Sequence, residues 1–137
     1  MAVDNKKEQE RDANILVFAT PIYYYEMSGQ MKTLLDRMNP LYPSDYKFRK
    51  VYILAVAAED EDYVPEKAVN GLQGWVDCFE KAELAGSLFC GGISDPDEAA
   101  EKKKNLRKHI TSERYYDAVT GRKKNDITGI TNIFYRE

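Results

Sequence analysis

Residues 20–29 are those whose types and spacing are best suited to ligand chemistry. They combine Pro21, three consecutive tyrosines at 23–25 and a small-residue pair, Ser28 and Gly29. The proline fixes the chain direction, and small residues at a helix start leave its first amides accessible to an anion or to the electron-rich edge of a ring. Three adjacent tyrosines cannot all enter one core, so at least one should flank a cleft and offer a face for stacking. The alternative is that these rings fill a subunit contact, where tyrosine is enriched.

The other chemistry-bearing residues are an acidic loop at 59–62, two cysteines, one histidine and a basic run. Cys78 and Cys90 lack the C-x-x-C spacing of zinc or thioredoxin-like sites, so we interpret both as buried, inert thiols, with a redox role as the alternative. His109 has no second histidine or cysteine nearby, and we assign it no metal or catalytic role. Five cations within 102–108 indicate a solvated helix face, with an anionic partner or a cofactor phosphate as the alternative.

Unbroken apolar runs predict three strands. Residues 14–20 and 51–58 lack the alternation of a half-exposed strand, which is typical of strands covered on both faces of a parallel sheet. A shorter run follows at 87–90, after Gly86, which we interpret as the glycine that ends the preceding helix. Ligands bind beyond the carboxyl ends of the strands in open α/β sheets, so the loops after these runs are the candidate site.

Helical periodicity predicts the connections between these strands. Ser28 is a good N-cap, and apolar residues at 31, 34, 35 and 38 form one stripe. A second stripe stands at 72, 75, 76 and 79. Alternating strands and helices are the signature of an α/β sheet with right-handed crossovers. A polar helix is expected from residue 95, and the tail at 127–135 is either a strand or a disordered end.

Length and charge exclude several classes of protein. The chain has 137 residues, enough for one compact domain with its own core. A net charge of -3 and a sequence pI of about 5.3 argue against a nucleic-acid partner. No apolar run reaches the ~18–20 residues that span a bilayer, and the N-terminus is charged where a signal peptide would be apolar. We therefore expect a soluble, cytoplasmic protein without a membrane partner.

One stretch closely resembles a motif of a known family. The matching positions are Pro-Ile-Tyr at 21–23, Ser-Gly at 28–29, Met-Lys at 31–32 and Leu-Asp-Arg at 35–37. This spacing is similar to the second flavin-contacting loop and following helix of the NAD(P)H-dependent FMN reductases, flavodoxin-like proteins that include the iron–sulfur flavoproteins. The resemblance continues through residues 51–60 and fades after about residue 96.

The resemblance implies a flavodoxin-like, three-layer α/β/α fold with a parallel sheet. It implies FMN as cofactor, NAD(P)H as electron donor, a quinone, flavin or similar small molecule as acceptor, and a homo-oligomer. Because the flavin performs the hydride and electron transfer, no catalytic side chain and no metal ligand is expected. The residues expected along the flavin ring are Thr20, Pro21, Ile22, Tyr23 and Tyr24 from the first loop and Ala58, Glu59 and Asp60 from the next.

The sequence departs from the family before residue 13. The family's first two strands and its Ser/Thr-rich phosphate loop have no counterpart there, and neither have the cysteines of an iron–sulfur cluster, so we expect no cluster. We interpret residues 1–137 as one N-terminally truncated, partial flavodoxin-like domain, with a family-like core at 13–96 and a divergent helix and tail at 97–137. The strand at 15–20 would then be an exposed edge, which folded proteins avoid. Either the tail at 127–135 or the same strand of a second subunit should cover it.

Two functions of different class follow from these observations. The first is an FMN-dependent NAD(P)H oxidoreductase, which the family motif favours. The second is a truncated, non-catalytic binding or oligomerisation module with weak or no flavin binding, which the absent phosphate loop favours, because backbone amides in such a loop neutralise much of the phosphate charge. A receiver-like regulatory domain shares the architecture and ranks third, since its acidic pocket and strand-end lysine are not evident.

Overall fold

A computed structural model of the chain describes residues 10–95, 97–98 and 130–133. These residues form one sheet with two helices packed against it. None of the helices in these ranges is long and apolar enough to cross a membrane. The elements are β1 (Ile15–Tyr23), β2 (Glu26–Met27), α1 (Gly29–Arg37), a short 3-10 turn (Asn39–Leu41), β3 (Lys50–Val56), α2 (Glu66–Val76), β4 (Glu83–Cys90) and β5 (Ile130–Ile133).

The sheet has the strand order β5-β1-β3-β4, and these four strands are parallel. β2 pairs antiparallel with the end of β1 as a short hairpin. Pro21 lies opposite Val56, and Val56 lies opposite Cys90, so three strands end at the same edge of the sheet. This confirms the predicted α/β, flavodoxin-like fold class. β1, β3 and β4 lie side by side in the sheet. They follow the order of the third, fourth and fifth strands in the flavodoxin-like strand order 2-1-3-4-5.

β5 covers the edge of β1 that the sequence leaves open. Ile15 lies opposite Ile130, and Phe18 lies opposite Ile133. Of the two coverings predicted for this edge, the chain's own tail and a second subunit, the structure shows the tail, at residues 130–133. These residues lie beside β1 on the side away from β3, where the first strand lies in the 2-1-3-4-5 order. The pairing occupies backbone groups that an edge strand would otherwise expose.

One face of the sheet carries the hydrophobic core. Leu16 and Phe18 of β1 are completely buried and alternate with half-buried neighbours. Trp75 of α2 lies within an aromatic cluster, with ring-centroid distances of 5.6 Å to Phe18, 6.2 Å to Phe48 and 4.5 Å to Phe79. Edge-to-face and stacked rings of this kind add to the stability that burial of their area provides. The cluster fixes α2 against the sheet, and with it the loop that precedes α2.

Gly86 lies within β4 and does not end a helix, which corrects the sequence interpretation. α2 already ends at Val76, and β4 begins at Glu83. A Cβ added at Gly86 would stand 3.2 Å from two ring atoms of Tyr52. The glycine therefore leaves room for the Tyr52 ring on the neighbouring strand.

The prediction that both cysteines are buried is wrong. Cys78 is exposed and Cys90 is half-buried. Val76 and Phe79 face the core on either side of Cys78, which turns this thiol outward, with its Sγ 3.5 Å from Gly74 O. The start of the predicted polar helix is described and is helical at Asp97 and Glu98, whereas His109 and the basic run at 102–108 lie outside the described residues.

Candidate functional site

The loops after β3 and β4 are joined by backbone hydrogen bonds. Ala57 N–H donates to Cys90 O at 3.2 Å, and Ile93 N–H donates to Ala57 O at 2.9 Å. Gly92 N–H donates to Glu59 O at 3.2 Å. The loop after β3 therefore has a fixed backbone at the carboxyl edge of the sheet.

Gly91 packs directly against this loop. A Cβ added at Gly91 would stand 2.5 Å from both Asp60 Cα and Glu59 O, and it would also meet the Asp60 carboxylate. Two of these atoms belong to the backbone and cannot rotate away. A side chain at residue 91 would therefore displace the loop itself.

We expect Gly91→Ala to lower the free energy of unfolding by about 1–3 kcal/mol, the usual cost of an overpacked contact. Urea denaturation measures this change. Gly74→Ala is the matched control, because Gly74 lies inside α2 with nothing within 4 Å of an added Cβ. The control should be neutral or stabilising by up to about 1 kcal/mol. Wild-type stability in Gly91→Ala would show that the two loops are not in close contact.

β1 and β2 are joined by a two-residue turn made of Tyr24 and Tyr25. The strands pair up to Tyr23 on one side and Glu26 on the other. Both turn residues have positive φ, 51° for Tyr24 and 65° for Tyr25. Hairpin turns of this kind usually contain Asn or Gly, because a Cβ in the left-handed region costs about 1–2 kcal/mol per residue. Such strain persists where surrounding contacts hold it, and it is concentrated at functional sites.

Thr20 connects the end of β1 to the start of α1 through its side chain. Its hydroxyl donates to Pro21 O at 2.8 Å and accepts from Ser28 N–H at 3.0 Å, and both Thr20 and Ser28 are buried. Ser28 Oγ accepts from Met31 N–H at 3.2 Å, which confirms Ser28 as the N-cap. The amides of Ser28 and Met31 are thus engaged within the protein, whereas Gly29 and Gln30, which begin the helix, are exposed.

A cleft of about 280 Å³ opens between the Tyr24–Tyr25 turn and the loop after β3. It is slightly smaller than the roughly 300–1,000 Å³ of pockets that enclose a whole small molecule, so it suits one edge of a ligand. Its lining is mostly apolar, with an exposed carboxylate at the rim. The lining residues are Ile22, Tyr24, Tyr25, Ala57, Ala58, Glu59 and Val64.

Four of the eight predicted flavin-contact residues line this cleft, namely Ile22, Tyr24, Ala58 and Glu59. They come from the two loops that the resemblance assigns to the flavin. The hairpin and the hydrogen-bonded loop after β3 bring them together from positions more than thirty residues apart in the sequence.

The other four predicted residues lie beside the cleft in different roles. Thr20 is buried in the connection to α1, and Pro21 is paired with Val56 in the sheet. Tyr23 is 52% exposed at the end of β1, and Asp60 packs against the backbone of the loop after β4.

Three lining residues are missing from the sequence prediction. Tyr25 and Ala57 are the immediate neighbours of predicted residues, and this adjacency in the sequence could have identified them as part of the site. Val64 follows the acidic loop and is buried, and no local pattern relates it to the site.

Tyr25 connects three elements beside the cleft. Its hydroxyl donates to Glu59 Oε1 at 3.3 Å, and its ring stacks on Tyr63 with a centroid distance of 6.2 Å. Lys67 Nζ of α2 lies 6.0 Å from the centre of the same ring. The hydrogen bond to Glu59, reinforced by the negative charge of that carboxylate, raises the pKa of Tyr25 above its usual value. The phenol therefore remains a hydrogen-bond donor throughout the neutral range.

Two larger cavities, of about 590 and 560 Å³, flank Trp75 between the helices. Leu35 and Asp36 line both of them. Neither cavity is lined by any of the eight predicted residues. The smaller cleft at the carboxyl edge of the sheet is therefore the candidate site.

The cleft fits one edge of a flat aromatic ring system. The small side chains of Ala57 and Ala58 leave room beside the loop backbone, while Ile22 and Val64 supply apolar walls. A phosphate group does not fit on the side of the cleft formed by the acidic loop at 59–62. The exposed carboxylates of this loop repel the negative charge of a phosphate.

Comparisons with known proteins identify the family. The family model described as NADPH-dependent FMN reductase matches residues 2–78. YwqN of Bacillus subtilis, described as an NAD(P)H-dependent FMN-containing oxidoreductase, is 35% identical over 66 residues, which cover 42% of this chain and 36% of that protein. The chain thus matches well under two thirds of this relative's length.

The solved structure of Trp repressor binding protein from Bacillus subtilis shares the fold. It has a TM-score of 0.61 and 20% sequence identity, and the match covers 81% of this chain and 76% of that one. The family model spans more than half of the chain and includes both loops that line the cleft. The chain therefore belongs to the NADPH-dependent FMN reductase family.

Proposed function

We propose that this chain is a flavoprotein that binds FMN at the cleft beside the Tyr24–Tyr25 turn and reduces it with NAD(P)H. The position of the cleft is the observation that carries this proposal. It lies where β1 and β3 end, which is the edge where open α/β sheets bind ligands. It also combines Ile22 and Tyr24 with Ala58 and Glu59, from the two loops that the family motif assigns to the flavin ring.

The residues of the cleft would hold one edge of the flavin ring. Ile22, Ala57 and Val64 offer apolar contacts that exclude water, and Tyr24 offers an aromatic face. Bound FMN would supply the redox chemistry, taking a hydride from NAD(P)H and passing electrons to a quinone, a free flavin or a similar small molecule. The protein contributes position and electrostatics.

A second candidate function is a non-catalytic binding or oligomerisation module. One sequence observation favours it, namely that the 137 residues contain no Ser/Thr-rich loop of the kind that holds the FMN phosphate in the family. In this second function, any binding of flavin would depend on the ring, and the affinity would be weak.

Titration of the purified protein with FMN, followed by quenching of flavin fluorescence, separates these two functions. We expect saturable binding, together with NAD(P)H oxidation that exceeds the rate of a protein-free FMN control. A protein that leaves flavin fluorescence unchanged and adds nothing to NAD(P)H oxidation would rule out the oxidoreductase and favour the module.

We also propose that the protein is a homo-oligomer in the cytoplasm. Tyr42 is 61% exposed outside the lining of the cleft, and tyrosines are enriched in subunit interfaces. Light scattering measures the mass in solution. A mass at least twice the 15.8 kDa of one chain supports the oligomer, and a monomer at working concentration would contradict it.

A further inference from the structure

Tyr25 is hydrogen-bonded to the Glu59 side chain at the rim of the candidate cleft. The backbone of Glu59 is already held, because its carbonyl accepts from Gly92 N–H. The Tyr25 hydroxyl then donates to Glu59 Oε1 at 3.3 Å. Glu59 is thus hydrogen-bonded through both its backbone carbonyl and its side-chain carboxylate. The carboxylate is exposed, and without the second bond it could extend into solvent.

The Tyr25 ring is itself held in place by two neighbours. Tyr63 stacks on it at an interplanar angle of 23°, and Lys67 from α2 lies within cation–π distance. Tyr25 adopts its positive φ of 65° within this set of contacts. A strained backbone conformation in a bulky residue persists only where surrounding contacts hold it. The turn and these contacts together therefore direct the Tyr25 hydroxyl towards Glu59.

We propose that Tyr25 is a positioning residue that holds the Glu59 carboxylate at the cleft, where its charge favours binding of oxidised over reduced flavin. This inference rests on the proposed function. Hydride transfer from NAD(P)H to an uncharged oxidised flavin yields NAD(P)+ and a reduced ring that carries one negative charge until it takes up a proton. A fixed carboxylate repels that added charge, and the repulsion is strongest when the carboxylate cannot move into solvent.

Removal of the charge should therefore change the preference of the cleft for the two flavin states. We expect Glu59→Gln to lower the ratio of the Kd of reduced FMN to the Kd of oxidised FMN by about two- to tenfold, as befits one charge near a solvent-exposed site. Tyr25→Phe should shift the ratio in the same direction by less, because the carboxylate remains but is free to turn away. The midpoint potential of bound FMN, which rises as the ratio falls, measures the effect.

Two controls separate positioning from general effects. Asp62→Asn removes one negative charge from the same loop at a residue outside the cleft lining, and Tyr42→Phe removes a hydroxyl from an exposed tyrosine elsewhere. Both should leave the ratio close to that of the wild type. An equal shift in Asp62→Asn would show that only net charge matters, and an unchanged ratio in Glu59→Gln would overturn the proposal.

A readout without flavin tests the pair itself. In tyrosine-labelled protein followed by NMR, Tyr25 should titrate above the usual tyrosine range, and Glu59→Gln should bring its pKa back towards that range. If the pKa of Tyr25 were the same in Glu59→Gln as in the wild type, the positioning role would be overturned. If no variant binds flavin, the proposed function fails and this proposal fails with it. If flavin binds with an unaltered ratio, only this proposal fails.

Discussion

Replacement of Ala58 by tryptophan should weaken FMN binding by about a hundredfold, equivalent to ~2.7 kcal/mol of binding free energy. Ala58 is exposed and lines the cleft of about 280 Å³, so an indole there occupies the space in which the flavin edge would bind. The new side chain does not enter the core, and the free energy of unfolding should change by no more than about 0.5 kcal/mol. Fluorescence titration with FMN measures the affinity.

Ala85→Trp is the matched control for this variant. Ala85 is also exposed and lies in the amino-terminal half of β4, whereas the cleft lies at the carboxyl ends of β1 and β3. The control should bind FMN with wild-type affinity. If Ala58→Trp also bound FMN normally, the flavin ring would have to bind elsewhere, and the two cavities beside Trp75 would be the next candidates.

Deletion of residues 130–137 should make the protein self-associate or unfold. β5 pairs with β1 along Ile15–Phe18, and its removal exposes the edge of a strand that carries Leu16 and Phe18 of the core. Exposed edges of apolar strands pair with other chains. Light scattering and urea denaturation measure the outcome. A truncated chain with unchanged mass and unchanged unfolding midpoint would show that β5 does not contribute to the sheet.

Two point variants give a sharper comparison at the same strand. The N–H groups of neighbouring residues in a strand point to opposite sides, so only one of Thr131 and Asn132 donates to β1. Proline removes that donor, and the cost is small where the N–H of an edge strand points outward. We expect one of Thr131→Pro and Asn132→Pro to lower the free energy of unfolding by about 1–3 kcal/mol, because it removes a ladder hydrogen bond, and the other by clearly less. Equal effects would contradict the pairing.

The central strands could be predicted from the sequence because both are apolar along their length. Residues 14–20 and 51–58 show no polar alternation; the structure buries every second residue of β1 up to Thr20, and in β3 it buries the three consecutive residues 51–53. Ser28 could be identified as an N-cap because its role depends on an amide only three residues away. Local patterns therefore placed the elements that carry the two loops of the cleft.

The elements that depend on distant contacts could not be predicted in the same way. The early part of β4, from Glu83, alternates between exposed and half-buried residues. In the sequence, Gly86 is typical of a glycine that ends a helix, and only the folded sheet shows that the Tyr52 ring packs against it. The β-branched residues at 130–133 indicate a strand, but the choice of β1 as its partner depends on an edge more than a hundred residues away. Pairing over such a separation leaves no local signal.

For a related reason, the sequence predicts the two loops of the site but not their conformation. The family motif identifies the loops, yet it does not show that Tyr24 and Tyr25 form a left-handed turn, since turn statistics favour Asn and Gly there. That turn determines which tyrosine points outward and which reaches Glu59. The tight approach of Gly91 to Asp60 likewise depends on two loops that meet only in the folded sheet.

Amide chemical shifts can map the position at which FMN binds to the protein. In a titration followed by two-dimensional NMR, we expect the largest changes at the amides of residues that line the cleft, namely Ile22, Tyr25, Ala58 and Val64. The Trp75 indole N–H, which donates to Leu35 O between the helices, should stay in place. Unchanged amides around the cleft, or a largest change at Trp75, would show that the cleft is not the flavin site.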